Sequence, residues 1–215
     1  MVVRTRIDNS DIITDMQVVK TIKGTAAPLD RSDVDTDQII PSDYLKSISK
    51  TGFEAGLFAQ WRENEPNFVL NQDRFKKAKI LIAGSNFGTG SSREHAVWAI
   101  LQYGFSAVIA PSFGDIFRNN SHKNGLLPVV LPDESVDALL EAVENRPELE
   151  FYIDISKRTL LVSELGFEAS FPLDDEVVKR FLEGLDDISL TLKHEGDITE
   201  YEKIRPSFKP RICHI

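Results

Sequence analysis

Short apolar runs and segments of helical period alternate through most of this chain, and glycine or proline separates them. The run AKILIAG, residues 78–84, has the length and composition of a buried strand. SSREHAVWAILQYGF follows it, placing Ala96, Val97, Ile100 and Leu101 on one face of a predicted helix. SAVIA (106–110) predicts a second buried strand, and SFGDIFRNNSHKNG a helix that stops near Gly125. LLPVVLP is a third apolar run, in which Pro128 points to an edge position. Residues 133–146 predict a helix, FYIDI with TLLVS a hairpin, and Asp174–Gly184 and the stretch from Asp186 onward further helices.

Upstream, alternating and β-branched positions from Met16 to Leu29 predict a strand or hairpin edge. DRSDVDTDQIIPS (30–42) is acidic and turn-rich, and predicts a structured loop. TGFEAGLFAQW (51–61) has helical spacing of Phe53, Leu57, Phe58 and Trp61. We expect one α/β domain over residues 17–200, a polar extension over 1–16 and a tail over 201–215.

The net charge of −9 argues against nucleic acid or an anionic membrane as the main partner. No apolar run approaches the length of a membrane span, and Asp8, Asp11 and Asp15 do not fit a signal or transit peptide, so cytoplasm is expected. One cysteine, Cys213, and four scattered histidines (His95, His122, His194, His214) show no metal-ligand spacing. A cluster that needs three or four thiolates cannot be built from this chain alone.

GSNFGTGSSREHAVW (84–98) joins the strand to the helix through Gly84, Gly88 and Gly90. Such turns present backbone N–H groups and a helix N-terminus to an anion, and Arg93 adds a guanidinium. The alternative is a capping box, with Ser91 bonding the amide of Glu94 and Glu94 reaching back. A Walker loop needs Lys where Gly90 stands, a dinucleotide fingerprint needs a third glycine where Arg93 stands, and Gly90-Ser91-Ser92-Arg93 breaks the nucleophile-elbow pattern G-x-S-x-G. Asp33 and Asp35 read as turn residues, His95, Trp61 and Trp98 as packing residues, and His122 as a surface or capping residue.

FGTGSSREHAVWAI resembles the signature of the aconitase superfamily's swivelling domain. PLDRSDVDTDQIIP (28–41), TGFEAGLF (51–58) and SFGDIFRNNSHKNGLLPV (112–129) resemble the small subunits of bacterial isopropylmalate isomerases. The resemblance implies a swivelling β/β/α fold and a hydro-lyase subunit of leucine biosynthesis that is inactive alone. It also implies a large-subunit partner carrying a [4Fe–4S] cluster, with no cofactor on this chain. Ser91 would be the base, acting as an alkoxide, with Ser92 and Arg93 binding and stabilising substrate beside Gly90. Asp37 would support the substrate-binding groups, and Tyr44, Leu45 and Lys46 would lie in the segment that sets substrate choice. Full aconitases carry His where this chain has Gln38, a departure that fits a different substrate. Relatives acting on homoaconitate, citraconate or dimethylmaleate remain alternatives, as does a stand-alone anion- or nucleotide-binding module.

Overall fold

The computed structural model describes residues 17–46, 51–90 and 93–206, with the backbone alone for Lys46 and Asp187. In chain order the elements begin with β1 (Thr21–Gly24), β2 (Ala26–Leu29) and the helical turn α1 (Thr36–Ile39). Two 3-10 turns, Ser42–Lys46 and Phe53–Gly56, precede α2 (Ala59–Asn64). Then come β3 (Ile80–Ala83), α3 (Glu94–Tyr103), β4 (Ala107–Ala110), α4 (Asp115–Asn124), β5 (Leu127–Val130) and α5 (Asp133–Asn145). The last third holds β6 (Phe151–Asp154), β7 (Thr159–Val162), β8 (Phe167–Ser170), α6 (Asp175–Glu183), α7 (Asp187–Leu192) and α8 (Glu195–Ile204). The domain boundary expected after residue 200 falls inside α8.

Two four-stranded sheets organise the chain: parallel β2-β3-β4-β5 and antiparallel β1-β6-β7-β8. Every residue of β2, β3 and β4 is buried, as expected for parallel strands covered on both faces. The outer strands β2 and β5 each carry a proline, Pro28 and Pro128, at the only sheet position that tolerates a missing N–H. Helices α3 and α4 pack on each other, while α5 packs on β2, β3 and β4. Gly104, Gly125 and Gly184 stop α3, α4 and α6 in left-handed geometry, where a side chain would be strained.

Four local expectations change. Residues 16–29 form no hairpin, because β1 and β2 belong to different sheets. The chain crosses between the sheets at Thr25, whose carbonyl accepts the amides of Lys79 and Ile80 at 2.9 and 3.3 Å. The helical segment over 51–61 is broken at Phe58, which has φ +48° and donates its amide to the Ile39 carbonyl at 2.8 Å. A long-range bond outweighs local period there. β8 is an additional strand whose half-exposed residues offer little apolar signal. His122 is buried, not superficial, and burial pushes its imidazole down to about 4, with Arg118 adding to the effect.

Candidate active site

The site is built where two loops leave the C-terminal ends of β2 and β3. In the acidic loop, Asp35 caps α1: its carboxylate accepts the Gln38 amide at 2.7 Å, and Gln38 Oε1 accepts the Asp35 amide at 2.9 Å. This is a reciprocal capping box, so Gln38 serves the fold of the turn rather than reaching outward as a substrate determinant. Asp33 sits at φ +55° and accepts the Asn86 side-chain amide at 2.7 Å. Asp33 and Asp35 are therefore structural, as their turn-like spacing suggests.

The glycine loop does not form the expected cradle of free amides. Gly84 donates to the Arg31 carbonyl at 3.0 Å, and Ser85 donates to Ser32 Oγ at 3.1 Å. Asn86 and Phe87 donate to the hydroxyl and carbonyl of Ser112 at 2.8 and 3.0 Å. Gly88 and Thr89 both donate to the Val34 carbonyl, at 2.7 and 3.2 Å. Six successive donors are thus consumed by two neighbouring loop segments, 31–34 and the one at Ser112. A phosphate offered to residues 84–89 would have to displace protein acceptors, which removes the main support for a stand-alone nucleotide-binding module.

Glycine is nonetheless needed here, for packing. A Cβ on Gly88 would lie 2.3 Å from Phe117 Cγ on α4, and φ is +77°. A Cβ on Gly114 would lie 2.5 Å from the Gly88 carbonyl oxygen, so the two backbones touch. Gly90 has room for a side chain but a φ of +89°, so it is retained for conformation.

What this packing positions is Arg93. Its guanidinium forms an ion pair with Asp37, which joins the two motifs across 56 residues of sequence. The arginine is therefore partnered by a residue of the acidic loop. Thr36 donates its amide to the Thr89 carbonyl at 2.9 Å and Asp35 bridges to Thr89, so both partners are held through backbone. Arg93 is also the N-cap of α3, in extended geometry and with no capping bond from its own side chain. Glu94 is then the first helical residue, not the third beyond a Ser91 cap, and its carboxylate accepts the Asn124 side-chain amide at 2.9 Å. The expected Ser91–Glu94 capping box involves a serine outside the described residues, and Arg93 holds the cap position. The Glu94 and His95 amides lie in the first turn, where no intrahelical acceptor exists, so the positive end of α3 sits beside Arg93.

Ser91 and Ser92 lie outside the described residues, immediately between Gly90 and Arg93. Tyr44 and Leu45 are half-buried and packed on the hydrophobic core, and a Cβ on Gly56 would lie 2.8 Å from Tyr44 Cγ. Lys46 ends the 3-10 turn, and its side chain lies outside the described residues. His95 packs edge-on against Phe53 and Trp98, with ring centroids 5.2 and 4.8 Å away, as expected for a packing residue. Among the described residues no group of three or more His, Cys, Asp or Glu side chains is placed to hold a metal ion. No helix among them is long and apolar enough to cross a membrane.

Both loops lie within a stretch that known proteins share. The model of the aconitase C-terminal domain matches residues 16–134, from the approach to β1 through both loops to the start of α5. The 3-isopropylmalate dehydratase small subunit of Rubrobacter xylanophilus is 56% identical over 197 residues, covering 92% of this chain and all of that protein. This chain belongs to the 3-isopropylmalate dehydratase small-subunit family. Small subunits from Frankia casuarinae and Streptomyces griseus are 57% and 55% identical, covering 87% and 91% of the chain. The model of the small subunit's C-terminal domain matches residues 187–212, which include α7 and α8. The crystal structure of 3-isopropylmalate dehydratase from Methanocaldococcus jannaschii superposes with a TM-score of 0.62 at 29% identity. It covers 84% of this chain, and 98% of the archaeal chain is matched, so the mixed α/β fold with one parallel and one antiparallel sheet is the family's fold.

Sequence reasoning did not find Asn124 or the capping role of Gln38. Asp35 and Gln38 lie three apart before a turn, a spacing that signals a capping box. Nothing in the local pattern identified Asn124, whose partners Glu94 and Trp98 lie on another helix.

Proposed function

We propose that this chain is the small subunit of a cytoplasmic hydro-lyase that interconverts 2- and 3-isopropylmalate in leucine biosynthesis. It works with a large subunit that carries a [4Fe–4S] cluster. The described residues of this chain offer no ligand set for the cluster, so its part is anion binding and proton transfer. The swivelling unit spans residues 17–200, with extensions on either side.

The observation that carries this reading is the Arg93–Asp37 pair at the start of α3. The reaction must draw a proton from a carbon beside a carboxylate, and negative charge gathers on that carboxylate as the proton leaves. Arg93, with the α3 N-terminus behind it, supplies fixed positive charge where that happens. Asp37 orients the guanidinium through Nη1, and a guanidinium has further N–H donors for a second carboxylate. Ser91 takes the proton through its Oγ, and Ser92 and Gly90 line the same turn. A serine alkoxide needs strong stabilisation, and a helix terminus contributes only ~1 kcal/mol, about fivefold. Arg93 and the bound substrate supply the rest. Tyr44 and Leu45 give apolar surface for the isopropyl group, and Lys46 a charge for a carboxylate.

The test is anaerobic mixing of this chain with a cluster-bearing large subunit. Turnover of 2-isopropylmalate is expected only in the mixture, and Ser91→Ala should abolish nearly all of it. Full turnover with Ser91→Ala removes the serine from the role of base, and activity of the chain alone removes the two-subunit reading.

A further inference from the structure

Glu94 poses a difficulty for a site that binds a dianion, because its carboxylate is the immediate chain neighbour of the anion-binding guanidinium. Left to itself, a glutamate beside an arginine competes with substrate for the same cation and lowers the local positive potential. The structure shows where that carboxylate goes. Asn124, the last residue of α4, donates its side-chain amide to Glu94 Oε1 at 2.9 Å and to the Asn120 carbonyl at 2.9 Å. Its side-chain oxygen accepts the Trp98 indole N–H at 2.8 Å. The indole donor and the carboxylate acceptor on either side allow only one orientation of the amide.

We infer that Asn124 is a positioning residue that draws the Glu94 carboxylate toward α4 and so leaves the Arg93 guanidinium available to the substrate carboxylate. The inference rests on the reading of Arg93 as the anion-binding residue. Three features of the arrangement support it. Glu94 and Trp98 are one helical turn apart on α3, so a single amide reaches both. Gly125 at φ +84° ends α4 directly after Asn124, which fixes where that amide stands. Arg93 has its own partner in Asp37, on the acidic loop, so the Asp37 and Glu94 carboxylates are directed to different neighbours. Without Asn124, Glu94 keeps its place at the favourable end of the helix dipole but is no longer held away from Arg93.

The test is steady-state kinetics of the reconstituted two-subunit enzyme with 2-isopropylmalate. Asn124→Ala should raise KM about fivefold, the scale of one partly screened charge interaction, while kcat holds within about twofold, the pattern of lost ground-state binding. Glu94→Gln should leave KM within about twofold and should abolish the effect of Asn124→Ala when the two are combined. In the nearly isosteric exchange Glu94→Gln with Asn124→Asp, the amide and the carboxylate trade places and the bond re-forms, so KM should return to normal. Asn124→Asp alone should raise it. This pair keeps the test open if the alanine variant folds poorly. A KM increase that persists unchanged in the Glu94→Gln background means that Asn124 merely braces the helices, and overturns the inference, as does an unchanged KM in Asn124→Ala. Arg93→Ala separates the two levels: if it leaves KM unchanged, the reading of the site has failed, whereas a raised KM there with no response to Asn124 refutes this inference alone.

Discussion

Replacing Gly88 by alanine separates two meanings of a glycine-rich loop. If the glycine keeps the backbone open for a ligand, the substitution should affect activity and leave folding intact. The structure predicts the opposite. The new Cβ would meet Phe117 Cγ at 2.3 Å, Cβ at 2.6 Å and Cδ1 at 2.7 Å. All three distances are far inside the ~3.5–4 Å at which carbon atoms attract. Phe117 is 2% exposed and packs edge-on to Phe87 with centroids 5.3 Å apart, so it has little room to retreat. Overpacking of this kind costs about 1–3 kcal/mol, and holding alanine at positive φ costs ~1 kcal/mol more. A total of about 2–4 kcal/mol lowers Tm by roughly 5–12 °C for a chain of this size. Thermal and urea melts of Gly88→Ala measure it directly. Combining it with Phe117→Ala, which removes Cγ and Cδ1 from the clash, should cost less than the two changes added, with coupling of about 1 kcal/mol. An unchanged melt together with lost turnover would refute the packing argument and restore the ligand-cradle reading.

Asp35→Ala should destabilise the α1 turn by ~1 kcal/mol and reduce turnover through Asp37, whereas Asp35→Asn, an equally good cap, should retain both; melts and reconstituted assays together decide it. Arg93→Ala should lower kcat/KM on the order of 100-fold while moving the melt little, because its partner Asp37 is 57% exposed. Equal losses of stability and activity would show that the pair braces the fold. His122 is held near 4 in the folded state against 6.5 when unfolded, so the unfolded chain binds more protons between those values. Its stabilising effect is complete above about pH 6.5, fades as pH falls, and is gone below about 4. Lowering pH from 7 to 5 should therefore cost about 1–2 kcal/mol more in the native chain than in His122→Gln, and equal pH slopes in urea melts would show that the imidazole is not buried in its neutral form.

The elements that local pattern could reach are those whose signal is local. β3, β4 and β5 are short apolar runs, and α3, α4 and α6 end at glycines, so period and punctuation sufficed. The failures share a different cause. β1 and β2 look like one strand or a hairpin because alternation does not say which partner accepts the hydrogen bonds; β1 finds its partner in β6, some 130 residues away. The glycine loop looks like an anion cradle because the acceptors of its amides, at Arg31, Ser32, Val34 and Ser112, are distant in sequence. His122 sits in a polar helix, and its neighbour Ser121 is also buried, so hydropathy gave no warning. For the site, Arg93, Asp37 and Gly90 were legible as residue types in a motif. That Arg93 meets Asp37 followed only from the fold.

The Arg93–Asp37 pair is too exposed to contribute much to stability, since partly solvated pairs are worth ~0–1 kcal/mol. The loops beneath it have a different character. Val34 receives two amides from the glycine loop, Thr89 receives one from Thr36, and Gly88 leaves no space between that loop and Phe117. A rigid base thus carries a weakly bound ion pair. Under the proposed function, that combination suits a cation that accepts a substrate carboxylate without first breaking a strong internal bond. The base limits the positions available to Arg93, and the weak pair keeps it exchangeable. If the pair were buried and strong, substrate binding would carry the cost of breaking it; if the base were loose, the guanidinium would have to be ordered each time. The reading therefore expects changes in the pair to reach catalysis with little effect on stability, whereas changes in the loop packing lower stability first and reach catalysis only through the pair.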